Sequence, residues 1–310
     1  RHMKVVRDIV TLAAISLVAM ASAQAETRVS IGTGGTGGVF YTVGAGMADV
    51  LTKKLTGVTA NAEVTGASVE NIKRVSAGEM TMGFSSASTL YAAKMGLPPF
   101  KSKMNVAGIA YLYPAVLQVA ATSKSNAKSV EDLKDLRVSV GPPGSNSAVL
   151  AERLLKASGA LNPGNIQFLS YSEATNAIKN GNLDASFVLA GVPAGALVEL
   201  TSTTGAKLVA VNPEKAKSLI AEYPYYRLVD IRGGAYKGND APVKAIGDPA
   251  VLFTAADADQ NLIFNVTKTL FDNLTDVAAV HPAAKLISKD LAADTPIDLH
   301  PGAEKYFKGK

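Results

Sequence analysis

Apolar residues recur along the chain at two spacings. Short alternating runs, such as "RVSIG" from Arg28 and "RVSVG" from Arg137, predict strands. Longer segments carry the helical period: Val39, Val43, Met47, Val50 and Leu51 follow the first run, and Leu150, Leu154 and Leu155 follow the second. Strand and helix signals alternate, as in an α/β protein with mostly parallel sheets.

The alternation is used twice. "RVSIGTGG" from Arg28 is echoed by "RVSVGPPG" from Arg137, each a basic residue, a strand and a glycine loop that opens a helix. Residues 68–88, "SVENIKRVSAGEMTMGFSSAS", are answered by residues 173–193, "EATNAIKNGNLDASFVLAGVP", where a helix stops at Gly78 or Gly181 and a strand runs into small residues. Two similar α/β lobes are therefore expected. After "EYPYYRLVDI" (222–231) the repeat stops. The stretch from Thr254 offers Thr254 and Asp257 as helix caps, with Leu262, Ile263, Val266, Leu270 and Leu274 on one face. "HPAAKLI" predicts a short helix and "PIDLHPGAEKYF" a turn before a last one. Such a tail should pack back on the first lobe, linking the lobes more than once. The expected division is 26–112 plus 229–310 for the first lobe and 113–228 for the second.

A strand, a glycine loop and a helix start together aim unpaired N–H groups and a positive dipole end at one place, which binds anions without a charged side chain. Gly32, Gly34 and Gly37 also satisfy the G-x-G-x-x-G dinucleotide spacing. That reading needs an acid at the end of the next strand to hold the ribose, but "TANAEV" carries Glu63 inside it and Thr65-Gly66 at its end. A phosphate loop would need lysine where Gly38 stands. Catalytic constellations are missing too. Beyond His2, His281 and His300 are the only histidines, each followed by proline and suited to a turn or helix start, and no metal-ligand spacing occurs.

Small polar residues cluster instead at the strand ends, where open α/β sheets take ligands. The candidate lining set is Gly34, Gly35, Thr36, Gly37, Gly38, Val39, Phe40 and Tyr41 from the first loop, and Thr65, Ser68, Asn71, Ser85, Ser86 and Ser88 from the rest of the first lobe. Tyr113, then Pro143, Gly144, Ser145, Asn146 and Ser147 from the second loop, and Gly191 and Val192 complete it. Backbone N–H groups of 34–38 and 144–147 are expected to carry most of the binding. Each hydroxyl taken singly also suits a helix cap or a turn.

Composition narrows the class. The 310 residues are 47% hydrophobic, enough for two packed lobes, and the net charge of +5 is spread with no basic run that would mark a nucleic-acid partner. There is no cysteine, which removes disulfides, thiolate metal sites and thiol catalysis. Residues 1–25 read as a tag remnant, Arg1-His2, and a signal peptide: Lys4 and Arg7 precede an apolar stretch from Ile9 to Ala21, and Ala23 and Ala25 meet the A-x-A rule for cleavage before Glu26.

Taken together, "GTGGTGGVFY" (32–41), "EVTGASVENIKRVSAGE" (63–79), "SVEDLKDLRVSVGPPGS" (129–145), "VLAGVPAGAL" (188–197), "EYPYY" (222–226), "HPAAK" and "LHPGAEKYF" resemble the TAXI-type solute-binding proteins of tripartite ATP-independent periplasmic (TRAP) transporters. The resemblance spans the chain beyond the leader. It implies a type II periplasmic-binding-protein fold, two α/β lobes joined by a hinge with the ligand cleft between them. It also implies a monomeric periplasmic receptor, with no cofactor or bound metal and no enzymatic activity, that delivers a small acidic solute, such as glutamate or 2-oxoglutarate, to an ion-coupled TRAP permease. Thr42, Lys73, Ala87 and Ala115 depart from residues frequent in that family, respectively proline, arginine and two acids. They surround the expected cleft and bear on which acid is bound. A sensory binding module for a membrane receptor and an exported α/β enzyme are the competing readings.

Overall fold

The computed structural model describes residues 25–309, so all but the last residue of the expected leader lies outside it. Five strands form the first sheet: β1 (Thr27–Gly32), β2 (Val58–Glu63), β3 (Met82–Ser86), β4 (Ala107–Tyr113) and β12 (Ala250–Thr254), in the order β2-β1-β3-β12-β4. The second contains β5 (Val116–Ala121), β6 (Val138–Ser139), β7 (Ile166–Gln167), β8 (Ala185–Ala190), β10 (Arg227–Ile231) and β11 (Val243–Gly247), in the order β10-β11-β5-β8-β6-β7, with β9 (Lys207–Leu208) beside β5.

The sequence repeat is a repeat of topology. In the first lobe β2, β1 and β3 are parallel neighbours, connected by helices α1 (Val39–Lys54) and α2 (Ser68–Ser76). In the second, β7, β6 and β8 are parallel neighbours, connected by α4 (Asn146–Ala157) and α5 (Tyr171–Lys179). Each trio is extended by an antiparallel strand, β12 beside β3 and β5 beside β8. Helix α3 (Ala87–Met95) follows β3 and α6 (Gly195–Thr204) follows β8, so both units continue alike. The predicted apolar faces are the buried ones: Val39, Val43, Met47, Val50 and Leu51 on α1, and Leu150, Leu154 and Leu155 on α4.

The chain crosses between sheets twice, from Tyr113 to Val116 and from Gly247 to Ala250. The second crossing lies later than the expected 228/229 boundary. Strands β10 and β11 pair antiparallel, Leu228 opposite Ile246, and β11 joins β5, so residues 227–247 belong to the second sheet. A hairpin at a sheet edge has no counterpart in the repeat, and nothing local shows which sheet it joins. The two crossings touch, with the Asp248 N–H donating to Ala115 O at 2.9 Å.

The tail packs on the first lobe. Helix α7 (Pro213–Glu222) still belongs to the second, whereas α8 (Gln260–Asp272) lies against α1 and against α10 (Pro301–Lys308), with the short α9 (Leu274–Ala278) between them in sequence. Asp259 caps α8, accepting from the Leu262 N–H, in place of Thr254, which lies in β12, and Asp257. Ile263, Val266 and Leu270 form its buried face as expected, and Phe271 takes the place given to Leu274, which is only partly covered. His281 and His300 are caps: their Nδ1 atoms accept from the N–H of Ala283 (3.0 Å) and Gly302 (3.1 Å), which fixes the neutral ring, and burial pushes both pKa values down. Among the described residues, no helix is long and apolar enough to cross a membrane.

Candidate functional site

Five helices start at one cavity of about 100 Å³ between the lobes. Gly38, Val39 and Phe40 bring the N-terminus of α1, Ala67 and Ser68 that of α2, and Ser86 that of α3. From the second lobe Ser145, Asn146 and Ser147 bring α4, and Ser170 and Tyr171 bring α5. Each start follows a strand of a parallel trio, so the topology places the helix starts at the same ends of both sheets. Each carries roughly half a positive charge, concentrated on N–H groups without intrahelical partners. Among the described residues, no Lys, Arg, His, Asp or Glu lines the cavity. Its remaining surface comes from Gly34, Gly35, Val64, Thr65, Pro142 and Leu189.

Three of the five ends are supplied with a carboxylate by the protein. Glu70 accepts from the Gly66 N–H (2.7 Å) before α2, and Glu173 from the Ser170 N–H (2.8 Å) in a capping box at α5. Asp248, fully buried at the second crossing, accepts from the Ser88 N–H (3.0 Å) at α3. The Ser88 hydroxyl and Asn146 Nδ2 (2.7 Å) also donate to Asp248, so this one carboxylate ties both lobes and a crossing together. Burial pushes its pKa up to about 6 despite these bonds from Ser88 and Asn146. Helices α1 and α4 have no acid in their first turns.

The glycine loop does more than expose amides. A side chain on Gly37 would meet Ser172 Oγ at 2.7 Å, and one on Gly38 would meet the Tyr171 ring at 3.3 Å. Gly37 O accepts from the Ala196 N–H (3.2 Å) across the cleft. The reciprocal contact is made by the second loop: Gly144 O accepts from the N–H groups of Val69 (3.0 Å) and Glu70 (3.1 Å), and a Cβ on Gly66 would collide with Pro143 O. Each lobe's glycine loop thus docks on the start of the other lobe's second helix, with the lobes closed. Ala67 sits at φ 73°, ψ −142°, a backbone region that belongs almost entirely to glycine, and its N–H is held by Thr65 Oγ1 at 3.0 Å.

Of the candidate residues, the structure brings Gly34, Gly35, Gly38, Val39, Phe40, Thr65, Ser68, Ser86, Ser145, Asn146 and Ser147 to the cavity. The others lie outside its lining. Asn71 is buried behind it, its Nδ2 donating to Thr33 O (2.8 Å) and Phe84 O (2.9 Å) to join two strand ends. Ser85 turns its hydroxyl to the backbone of Ser86, and Ser88 serves Asp248. Tyr113 is wholly buried, its hydroxyl without a partner among the described residues and its pKa pushed up by burial. Thr36 and Tyr41 also lie outside the lining, and Gly37, Pro143 and Gly144 are contacts between lobes. Gly191 lies close to Ala283, Tyr113 and Val39, and Val192 packs at the edge of the main core.

Several lining residues were not singled out from sequence: Val64, Ala67, Pro142, Ser170, Tyr171 and Leu189. The S-x-x-E pattern of Ser170 and Glu173 was a legible helix start and could have marked one of them. Tyr171 is fixed by a two-way bond, its hydroxyl donating to Leu189 O (3.0 Å) and accepting from the Leu189 N–H (3.1 Å). Burial pushes its pKa up to about 12. Among the described residues, no group of three or more His, Asp or Glu side chains could hold a metal ion.

Two lobes of mixed sheet, each built on a trio of parallel strands and extended by antiparallel ones rather than mostly parallel as expected, two crossings and a cavity between them define a periplasmic-binding-protein fold. Residues 31–310 match the NMT1-like family, and the chain belongs to it. Two solved structures share the architecture. An ancestral arginine-binding protein bound to arginine is 16% identical with a TM-score of 0.51, covering 83% of this chain and 98% of that one. A Bordetella bronchiseptica RB50 protein is 16% identical with a TM-score of 0.53, over 84% of this chain and 77% of that one. The alkanesulfonate-binding protein SsuA of Xanthomonas axonopodis pv. citri, bound to MOPS, is 16% identical with a TM-score of 0.48, over 94% and 86%.

Proposed function

We propose that this chain is a periplasmic solute receptor of the TAXI type, which closes on a small acidic solute and delivers it to an ion-coupled TRAP permease. The observation that carries the reading is the convergence of helix N-termini from both lobes on one cavity without a charged side chain. Such a site offers an anion preorganised N–H donors and dipole ends, and gives it up again when the lobes part. The resemblance of the glycine loops and of "EYPYY" and "LHPGAEKYF" to TAXI proteins supplies the transport assignment.

Solute capture is a shift between open and closed forms, so the ligand stabilises the native state in proportion to its occupancy. Thermal unfolding against a panel of small acids, glutamate and 2-oxoglutarate among them, is expected to show a raised Tm for at least one. Native mass spectrometry of freshly purified protein should then show the same mass carried through purification. A panel of acids without any shift would remove the acidic-solute reading.

A further inference from the structure

The cavity has room in its electrostatics for a single anionic group. At three of its five helix ends Glu70, Glu173 or Asp248 already accepts a backbone N–H; at α1 and α4, one from each lobe, no carboxylate takes a backbone N–H, and the Ser145 hydroxyl takes that of Ala148 at α4. Among the described residues, a second carboxylate on the solute would find no cation on the lining and no further helix end free of a protein carboxylate, at the cost of burying an unpaired charge.

Asn146 gives a second, independent pointer. The residue is 3% exposed, and its Nδ2 is committed to Asp248, which accepts hydrogen bonds and so fixes the amide's orientation. Its Oδ1 has no hydrogen-bond partner among the described residues, and the residue lines the cavity. Oδ1 is therefore an acceptor presented to the solute in a space otherwise rich in donors. Asn146 is also the first residue of α4, so a solute donor reaching Oδ1 lies within a few bonds of a carboxylate held at that helix end. A neutral hydroxyl suits this position better than an ammonium, because the surrounding helix ends are positive and no anionic side chain lines the cavity. The rest of the wall is apolar: Phe40, Leu189, the Tyr171 ring, and Val64, which is 57% exposed at the lip.

We infer that the solute is a 2-hydroxy monocarboxylate with an apolar side chain. Its carboxylate lies between the starts of α1 and α4, its hydroxyl donates to Asn146 Oδ1, and its chain covers Phe40, Leu189 and Val64. This rests on the receptor reading above and narrows it.

Titration calorimetry with four probes tests it: 2-hydroxy-4-methylpentanoate, 4-methylpentanoate, 2-hydroxyglutarate and leucine. The first is expected to bind tightest. Loss of the hydroxyl should weaken binding about tenfold, the worth of one hydrogen bond. The second carboxylate and the ammonium should each weaken it about 100-fold. In Asn146→Ala the first two probes should converge, and should that variant not fold, the wild-type pair decides the matter alone. Equal binding of the first two probes to the wild type, or tighter binding of 2-hydroxyglutarate or leucine, overturns the inference and leaves an acid receptor standing. Silence from all four probes overturns the inference, and silence from the wider acid panel as well overturns the receptor reading with it.

Discussion

The two lobes share a trio of parallel strands and differ in how they finish the helix that faces the partner lobe. In the second lobe α5 is complete in itself, with Ser170 and Glu173 in a reciprocal capping box. In the first, α2 has no side-chain cap, begins after Ala67 in a glycine-like backbone conformation, and donates its Val69 and Glu70 N–H groups to Gly144 O across the cleft. The α5 start is finished before closure, while the α2 start is finished only by it. Opening thus exposes two N–H groups on α2 and one on α6, that of Ala196, and leaves the α5 cap intact, so more of the cost of opening falls on the first lobe.

The sharpest way to break this arrangement is at the reciprocal loop contacts. Gly66→Ala puts a Cβ against the backbone carbonyl of Pro143, whereas Gly37→Ala meets Ser172 Oγ, a side chain that can turn away. Gly66→Ala should therefore hold the lobes apart and lower solute affinity by about 1000-fold or more, because apparent affinity falls with the closed fraction. Gly37→Ala should cost clearly less. Calorimetry gives the affinities and small-angle scattering the opening, and equal losses for the two variants would contradict the asymmetry.

Asp248 binds the lobes to each other, and its titration measures that tie. Its carboxyl sits at about 6, above the ordinary carboxylate value of about 3.9 in an unfolded chain. Proton binding therefore favours the native state. The contribution is complete below about pH 4 and is lost as pH rises through 6. Relative to Asp248→Asn, the wild type should be more stable at pH 4 than at pH 7 by up to about 3 kcal/mol, read by urea unfolding across that range. A difference between the two proteins that does not vary with pH would refute the buried-carboxylate account.

Hydrogen exchange sharpens the comparison directly. Binding of the solute should slow exchange at the Val69 and Glu70 amides by about tenfold, while Glu173, which donates to its own Ser170, changes little. Equal slowing at both helices would mean that α5 also depends on closure. The smallest effect is expected at Ala67. Ala67→Gly relieves its positive-φ conformation by more than the added chain entropy costs and should raise stability by about 1 kcal/mol in thermal or urea unfolding.

Much of this was legible along the chain. The echo of "RVSIGTGG" in "RVSVGPPG" gave the two lobes, the helical periods gave α1 and α4, and the loops and strand ends gave eleven of the cavity's seventeen lining residues. Both histidines were placed correctly at helix starts. The missing lining residues share a cause. Val64, Pro142 and Leu189 are ordinary apolar strand-end and loop residues, and they become walls only because the two lobes face each other. Conversely, Asn71, Ser88 and Tyr113 have the right chemistry and lie near the right strand ends, yet turn it to Phe84, to Asp248 or into the core.

Local patterning was sufficient for strands, helices, caps and the repeat, because these depend on side chains a few residues apart. It did not distinguish a glycine that frees an amide from one that lets another lobe approach, as Gly66 and Gly37 do. Nor did it give weight to Asp248, a single acid between two strands. The pairing of Asp248 with Ser88 and Asn146 joins positions 160 and 102 residues apart. Only the double crossing of the chain brings them together, and with them the helix ends that make the cavity.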